Sequence, residues 1–164
     1  MVEDIVRGFG FLTLGTRLKR IGDRLQTDAQ RIMDAYDVPI QSSQYPILAA
    51  IDGQGPLSIG DLALAVGISQ PGVTRTVGQL VRQGLLAVGP AGNDQRRRVV
   101  TLTPEGRRLI EFSRKHVWPR IEAAVKDVCA DLSGPLLGQL GDIERRLTAT
   151  PLDRRAQNGK EVAP

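Results

Sequence analysis

Residues 58–103 read SIGDLALAVGISQPGVTRTVGQLVRQGLLAVGPAGNDQRRRVVTLT. The order inside this stretch is helix, tight turn, helix, hairpin. Ser58 stands where a helix cap belongs, and Asp61, three residues on, is the partner a capping box needs. Leu62, Ala63 and Val66 give that first helix an apolar face. Gly67 stops it, because glycine tolerates the left-handed conformation of a sharp helix ending. Ser69 caps the second helix. Pro71 lies in its first turn, where a missing backbone N–H costs nothing. Val73, Val77, Leu80 and Val81 make its buried stripe, and Gly84 ends it. A strand is predicted over 85–89, a turn over 90–95 and a return strand over 96–102. Pro90, Gly92, Asn93 and Asp94 supply the turn chemistry. The return strand opens on Arg96, Arg97 and Arg98 and closes with Val100 and Leu102 on one face.

The outward face of the second helix carries Gln70, Thr74, Arg75, Gly78 and Arg82. Hydrogen-bonding tips with little bulk suit a helix that enters a major groove. A hairpin with a cationic tip and an apolar base can pack on the helices while its tip reaches phosphates or a minor groove. The charge distribution agrees. The chain of 164 residues has a formal net charge of +4. Residues 75–108 hold seven arginines against Asp94 and Glu105, a net +5, so the remainder carries −1. Positive charge gathered on one helix and hairpin is the footprint expected for double-stranded DNA as partner.

The flanks read as helices. Residues 3–37 keep helical spacing through Ile5, Phe9, Leu12, Thr16, Ile21, Leu25, Ala29, Ile32 and Ala35, with Gly8, Gly10 and Gly15 weakening the first half. Asp37-Val38-Pro39 breaks this helix. The next begins at Ser42 or Ser43 and puts Tyr45, Leu48 and Ala49 in the core, with Ile51 a further candidate. Thr103 caps a helix with Pro104 at its first position. That helix continues to Leu132 with a kink or local break at Pro119. Ser133-Gly134-Pro135 is a stop, and a last helix spans Leu136 to Leu147. Residues 150–164 lack periodicity and read as a flexible tail. The expectation is a single mainly α domain over 1–164. Within it, 57–103 is a winged helix-turn-helix unit, while 3–37 and 104–148 form a helical platform. The apolar surface of that platform exceeds what one small winged helix can cover, so a second copy of the chain is its expected partner. A two-fold homodimer would set two reading helices ~34 Å apart on a pseudo-palindromic site.

Several function classes are disfavoured. No apolar run approaches the ~20 residues that span a bilayer, so no membrane partner is expected. One cysteine excludes an internal disulfide framework and fits a reducing, cytoplasmic setting. One histidine and one cysteine cannot assemble a typical zinc site. Gly67-Ile68-Ser69-Gln70-Pro71 only half resembles a nucleophile elbow, because Pro71 replaces the second glycine. Phosphate-cradling glycine loops are absent. No catalytic residue, metal or cofactor is expected, and the chain does not read as an enzyme.

Two segments carry a family resemblance. NDQRRRVVTLTPEG at 93–106 resembles the wing signature of MarR-type winged helix-turn-helix transcription regulators. Here Gln95 replaces the first arginine of that signature and Arg96 keeps the second. GISQPGVTR at 67–75 is similar to the family's turn and the start of its reading helix. The resemblance covers about residues 8–148. It implies that Arg96 enters a minor groove at the wing tip, with Arg97 and Arg98 beside it. It also implies that Ser69, Gln70, Pro71, Thr74 and Arg75 lie nearest the DNA; Arg82, further along the same helix, is a candidate from its position on the outward face. Members of the family are homodimers joined through their terminal helices. Most repress transcription, and many release DNA when a small amphipathic or phenolic effector binds between the platform and the winged helix. His116 and Trp118, beside the Pro119 kink, are the candidates for lining such a pocket. Other members sense oxidants through cysteine, but Cys129 has apolar and acidic neighbours, a poor setting for a reactive thiolate. The reading is therefore a ligand-responsive repressor. A protein-interaction module that keeps the fold without reading DNA is the alternative.

Overall fold

The computed structural model describes the backbone of residues 3–91 and 94–158 and the side chains of 3–91 and 98–157. The chain divides into two units, one reaching Val125 and one beginning at Lys126.

The first unit opens with α1 (Ile5–Gly8), a 3-10 turn (Gly10–Thr13) and α2 (Leu14–Asp34). The single helix expected from residue 3 is thus broken. Gly10 sits at φ +55°, a left-handed conformation that no continuous right-handed helix contains. The short pieces fold back onto α2. Arg20 grips both oxygens of Asp4 at 3.1 and 3.0 Å, and this hydrogen-bonded guanidinium holds the Asp4 carboxyl below its usual range. Asp37 takes φ +53° and ends the segment at the predicted break.

A second 3-10 turn (Ser42–Gln44) leads into α3 (Tyr45–Gln54), whose first turn holds Pro46. Tyr45, Ile47, Leu48 and Ile51 are buried, whereas Ala49 is exposed. The correction has a geometric reason. At 100° per residue, Ile47, Ile51, Leu48 and Tyr45 span one wide arc, and Ala49 falls beyond its edge.

The helix-turn-helix forms at the expected residues as α4 (Ile59–Val66) and α5 (Gln70–Arg82). Ser58 and Asp61 make a reciprocal capping box, and Gly67 is left-handed at φ +68°. Ser69 caps α5 by accepting a hydrogen bond from the Gly72 N–H. Val73, Val77 and Leu80 are buried, but Val81 is 38% exposed. Val81 lies 80° around the helix from Val73, at the rim of the stripe rather than within it.

Gly84, at φ +74°, turns the chain into β1 (Leu86–Ala91), which pairs antiparallel with β2 (Asp94–Leu102). Pro90 and Ala91, expected in the turn, lie within β1. Pro90 is tolerated because β1 is an edge strand. On its other side β2 meets Leu57, which exchanges two backbone hydrogen bonds with Val100. Val99, Val100 and Leu102 are all buried, and Val100 and Leu102 join the common core.

Thr103 caps α6 (Pro104–His116) and α7 (Trp118–Val128) follows. Of the kink or local break expected at Pro119, the structure shows the break, at Val117. Pro119 has no N–H to donate, and the Arg120 and Ile121 amides both return to the Val117 carbonyl at 3.1 Å. A common core joins Met33, Ile40, Ile47, Leu48, Leu62, Val73, Leu80, Val100, Ile110 and Val117, so α5 stands on side chains from the elements around it.

In the second unit, α8 (Leu136–Ala149) follows the stop at Gly134. The segment from 150 was read as a tail without structure, but Leu152–Asn158 forms α9. Arg155 accounts for it: its guanidinium donates to the Thr150 and Arg146 carbonyls at 2.8 and 2.6 Å and closes the end of α8.

Candidate nucleic-acid interface

The local chemistry of α5 presents its polar face outward. The Ser69 cap and Pro71 fix the first turn, and the buried Val73, Val77 and Leu80 fix its rotation. Gln70, Pro71, Thr74, Arg75 and Arg82 are then all exposed. Among the described residues neither Arg75 nor Arg82 takes part in an ion pair, so both guanidiniums keep their donors for a partner. Thr74 donates its hydroxyl proton to the Gln70 carbonyl at 2.9 Å.

The hairpin projects beside this helix. Arg98 is exposed opposite Pro90, while the neighbouring Val99 and Val100 anchor the strand in the core. The side chains of Arg96 and Arg97, and of Gln95 before them, lie outside the described residues, as do Gly92 and Asn93 of the predicted turn. The hairpin base is fixed from below by Thr103. Its hydroxyl lies 2.7 Å from the Gly84 carbonyl and accepts from the Gly106 N–H at 3.0 Å.

Two arrangements escaped the sequence reading. The first is a buried amide. Gln44 is only 5% exposed; its Oε1 accepts from the Gln41 N–H at 2.8 Å and its Nε2 donates to Gln79 Oε1 at 3.0 Å. It ties the turn after α2 to α5, at the wall of a cleft of about 330 Å³. Only the unusual run of glutamines at 41, 44, 79 and 83 hinted at it, and nothing in that run gives the pairing.

The second surrounds the candidate effector residues. His116 stacks on Phe112 with ring centroids 5.0 Å apart. Trp118 meets the Tyr45 ring edge-on at 5.8 Å, and Arg114, ion-paired to Asp52, covers its indole at 5.7 Å. Tyr45 also hydrogen-bonds Ser113, which is fully buried. Ser113 has one proton and gives it to the Leu109 carbonyl at 2.7 Å, so Tyr45 is the donor. Burial raises the Tyr45 pKa above its ordinary value. Because the folded value is the higher, the contribution is intact below about pH 10 and lost as pH rises through the folded value. Tyr45→Phe should therefore cost about 1 kcal/mol at neutral pH and flatten the alkaline end of the stability curve. Chemical denaturation at pH 7 and above pH 10 checks it, and equal slopes for both proteins would remove the titration argument.

Cys129 is half-buried in the turn after α7. Among the described residues no cluster of three or more His, Cys, Asp or Glu is arranged for a metal, and no helix is long and apolar enough to cross a membrane.

Comparison with known proteins points the same way. A sequence model of the MarR family matches residues 36–97. The transcriptional activatory protein BadR of Rhodopseudomonas palustris is 31% identical over 125 residues, covering 71% of this chain and 66% of BadR. The HTH-type transcriptional regulator FarR of Neisseria gonorrhoeae is 29% identical over 130 residues, covering 77% of this chain and 88% of FarR. Among solved structures, Bordetella bronchiseptica BpsR superposes with a TM-score of 0.65 at 28% identity, covering 82% of this chain and 91% of BpsR. The BpsR structure describes regulation of its DNA binding by 6-hydroxynicotinic acid.

Proposed function

This chain belongs to the MarR family of transcriptional regulators, and from that premise we propose that it binds a pseudo-palindromic duplex as a homodimer and represses transcription until a small aromatic effector is bound. Residues 57–103 are the reading unit. Ser69, Gln70, Pro71, Thr74 and Arg75 approach base edges, while Arg82, Arg96, Arg97 and Arg98 approach the backbone and minor groove. The observation that carries this reading is the outward face of α5, whose arginines have no ion-pair partner among the described residues, beside a hairpin that adds Arg98. Residues 3–37 and 104–148 carry the dimer contacts. Support comes from the apolar side chains left exposed there, Phe11 at 93% and Leu137 at 84% being the most open. The effector is an aromatic or amphipathic acid of the class named for BpsR, received near His116 and Trp118.

Fluorescence anisotropy on a labelled duplex from the region upstream of the coding sequence tests this. Binding should fall about 10³–10⁵-fold between 50 and 200 mM salt if six to ten phosphates are contacted. Arg96→Ala should weaken binding on every sequence and reduce the salt slope by about 1. Adding aromatic acids to the same assay should release the duplex, and a promoter fusion should show derepression. Absence of salt-sensitive binding would instead favour a protein-interaction module, and a fusion that falls on deletion of the protein would favour activation, the sign in BadR's name.

A further inference from the structure

The outward face of α5 carries two kinds of chemistry. Gln70, Arg75 and Arg82 hold donors. Between them run Pro71, Thr74 and Gly78, three and four residues apart, which makes them neighbours on one helix face. Pro71 has no N–H and Gly78 has no side chain. Thr74 has one hydroxyl proton, and the Gln70 carbonyl takes it at 2.9 Å. The Gln70 amide itself leans back over α4, its Nε2 3.6 Å from where a side-chain carbon on Gly60 would stand. At Pro71 and Thr74 the strip therefore offers no side-chain donor, only a pyrrolidine ring and a γ-methyl group. At its far end Arg82 Nη1 lies 3.7 Å from where a β-carbon on Gly78 would stand.

We propose that Thr74 is a specificity-determining residue whose methyl group reads the 5-methyl of one thymine in each half-site, with Pro71 as its apolar neighbour. This rests on the major-groove reading proposed above. Among the four bases only thymine puts a methyl group into the major groove, and apolar contact is how that group is recognised. The rival partner is the exocyclic amine of adenine or cytosine. That amine has one proton outside the base pair, and in this strip only the Thr74 hydroxyl oxygen could receive it, which is what Thr74→Val tests.

The test uses the full chain and a duplex selected by it from a random library. Each thymine of the selected site is replaced in turn, in both half-sites, by deoxyuridine, which removes only the methyl. One position should weaken binding about 15-fold, about 4-fold for each methyl lost. Thr74→Ser should bind the thymine site as weakly as the wild type binds the deoxyuridine site, and should not distinguish the two. Thr74→Val keeps the methyl and should keep the discrimination. Both variants leave the Ser69 cap and the buried face intact, and their melting temperatures serve as folding controls. If the wild type binds its selected site and no deoxyuridine position matters, the methyl assignment is overturned while DNA reading stands. Loss of binding in Thr74→Val, with Thr74→Ser unaffected, would show the hydroxyl as acceptor and overturn it equally. Failure to enrich any sequence would remove the DNA reading and this inference with it.

Discussion

Gly106→Ala should lower the melting temperature by about 6–12 °C, the equivalent of about 3 kcal/mol in a protein of this size. The cause is a single close approach. A β-carbon on Gly106 would stand 2.2 Å from the Leu85 carbonyl oxygen and 3.1 Å from Leu102 Cδ2. Backbone oxygens do not swing aside like the end of a lysine. Relief requires α6 to lift from the start of β1, which separates the Thr103 cap from the carbonyls of Gly84 and Leu85. The wing base and the first turn of α6 would loosen together, so DNA affinity should fall with stability. Gly53→Ala is the control, because nothing lies within 4 Å of its added carbon and its φ is not positive. That change should be neutral or stabilise by about 0.5–1 kcal/mol, since alanine favours a helix interior. Differential scanning calorimetry on both variants decides: equal melting temperatures would mean that α6 does not pack flush against β1.

How such contacts stand to the sequence explains what could be read there. Capping is local, so Ser58 with Asp61, Ser69, Thr103 and the glycines at 67 and 84 announced their helix ends directly. Helical periodicity gave the buried face of α5, and it failed at Val81 and Ala49, where the arc of burial is set by what packs opposite. Gly10 shows the same limit. Its cost to a helix was legible, but whether the chain would bend there or stay straight depended on the Asp4–Arg20 clasp sixteen residues long. The exposed polar and cationic face of α5 was legible through residue type, because charged and small polar side chains at that spacing fall opposite the buried valines. The Gln44–Gln79 and Tyr45–Ser113 pairs were not, since they join residues 35 and 68 apart and no local pattern encodes such a pairing. Ser113 illustrates it well: on a helix it reads as a surface residue, yet it is fully buried.

Ile21→Glu together with Leu25→Glu should yield a monomer and cost about 100-fold or more in affinity for a full site. On α2 the side chains of Leu18, Ile21 and Leu25 fall at i, i+3 and i+7, a single stripe, and all three are exposed. Such a stripe against water is unfavourable by the same burial energy that would reward covering it, roughly 25 cal/mol per Å². Neither residue belongs to the core that holds the winged helix, so the variant should keep the helical content and fold of its reading unit. What it loses is the link between two reading helices. Binding of the second half-site becomes bimolecular again, and the avidity of about 10²–10⁴ that a linked pair gains disappears. Binding to a half-site duplex should be unchanged, which separates loss of assembly from damage to the interface. Sedimentation velocity and anisotropy on full and half sites give both readings. A wild type that melts at a temperature rising with concentration, beside a variant that does not, would bring thermal stability into agreement. Should the doubly charged variant remain a dimer with undiminished full-site affinity, α2 is not where the copies meet, and the apolar stripe must serve another partner.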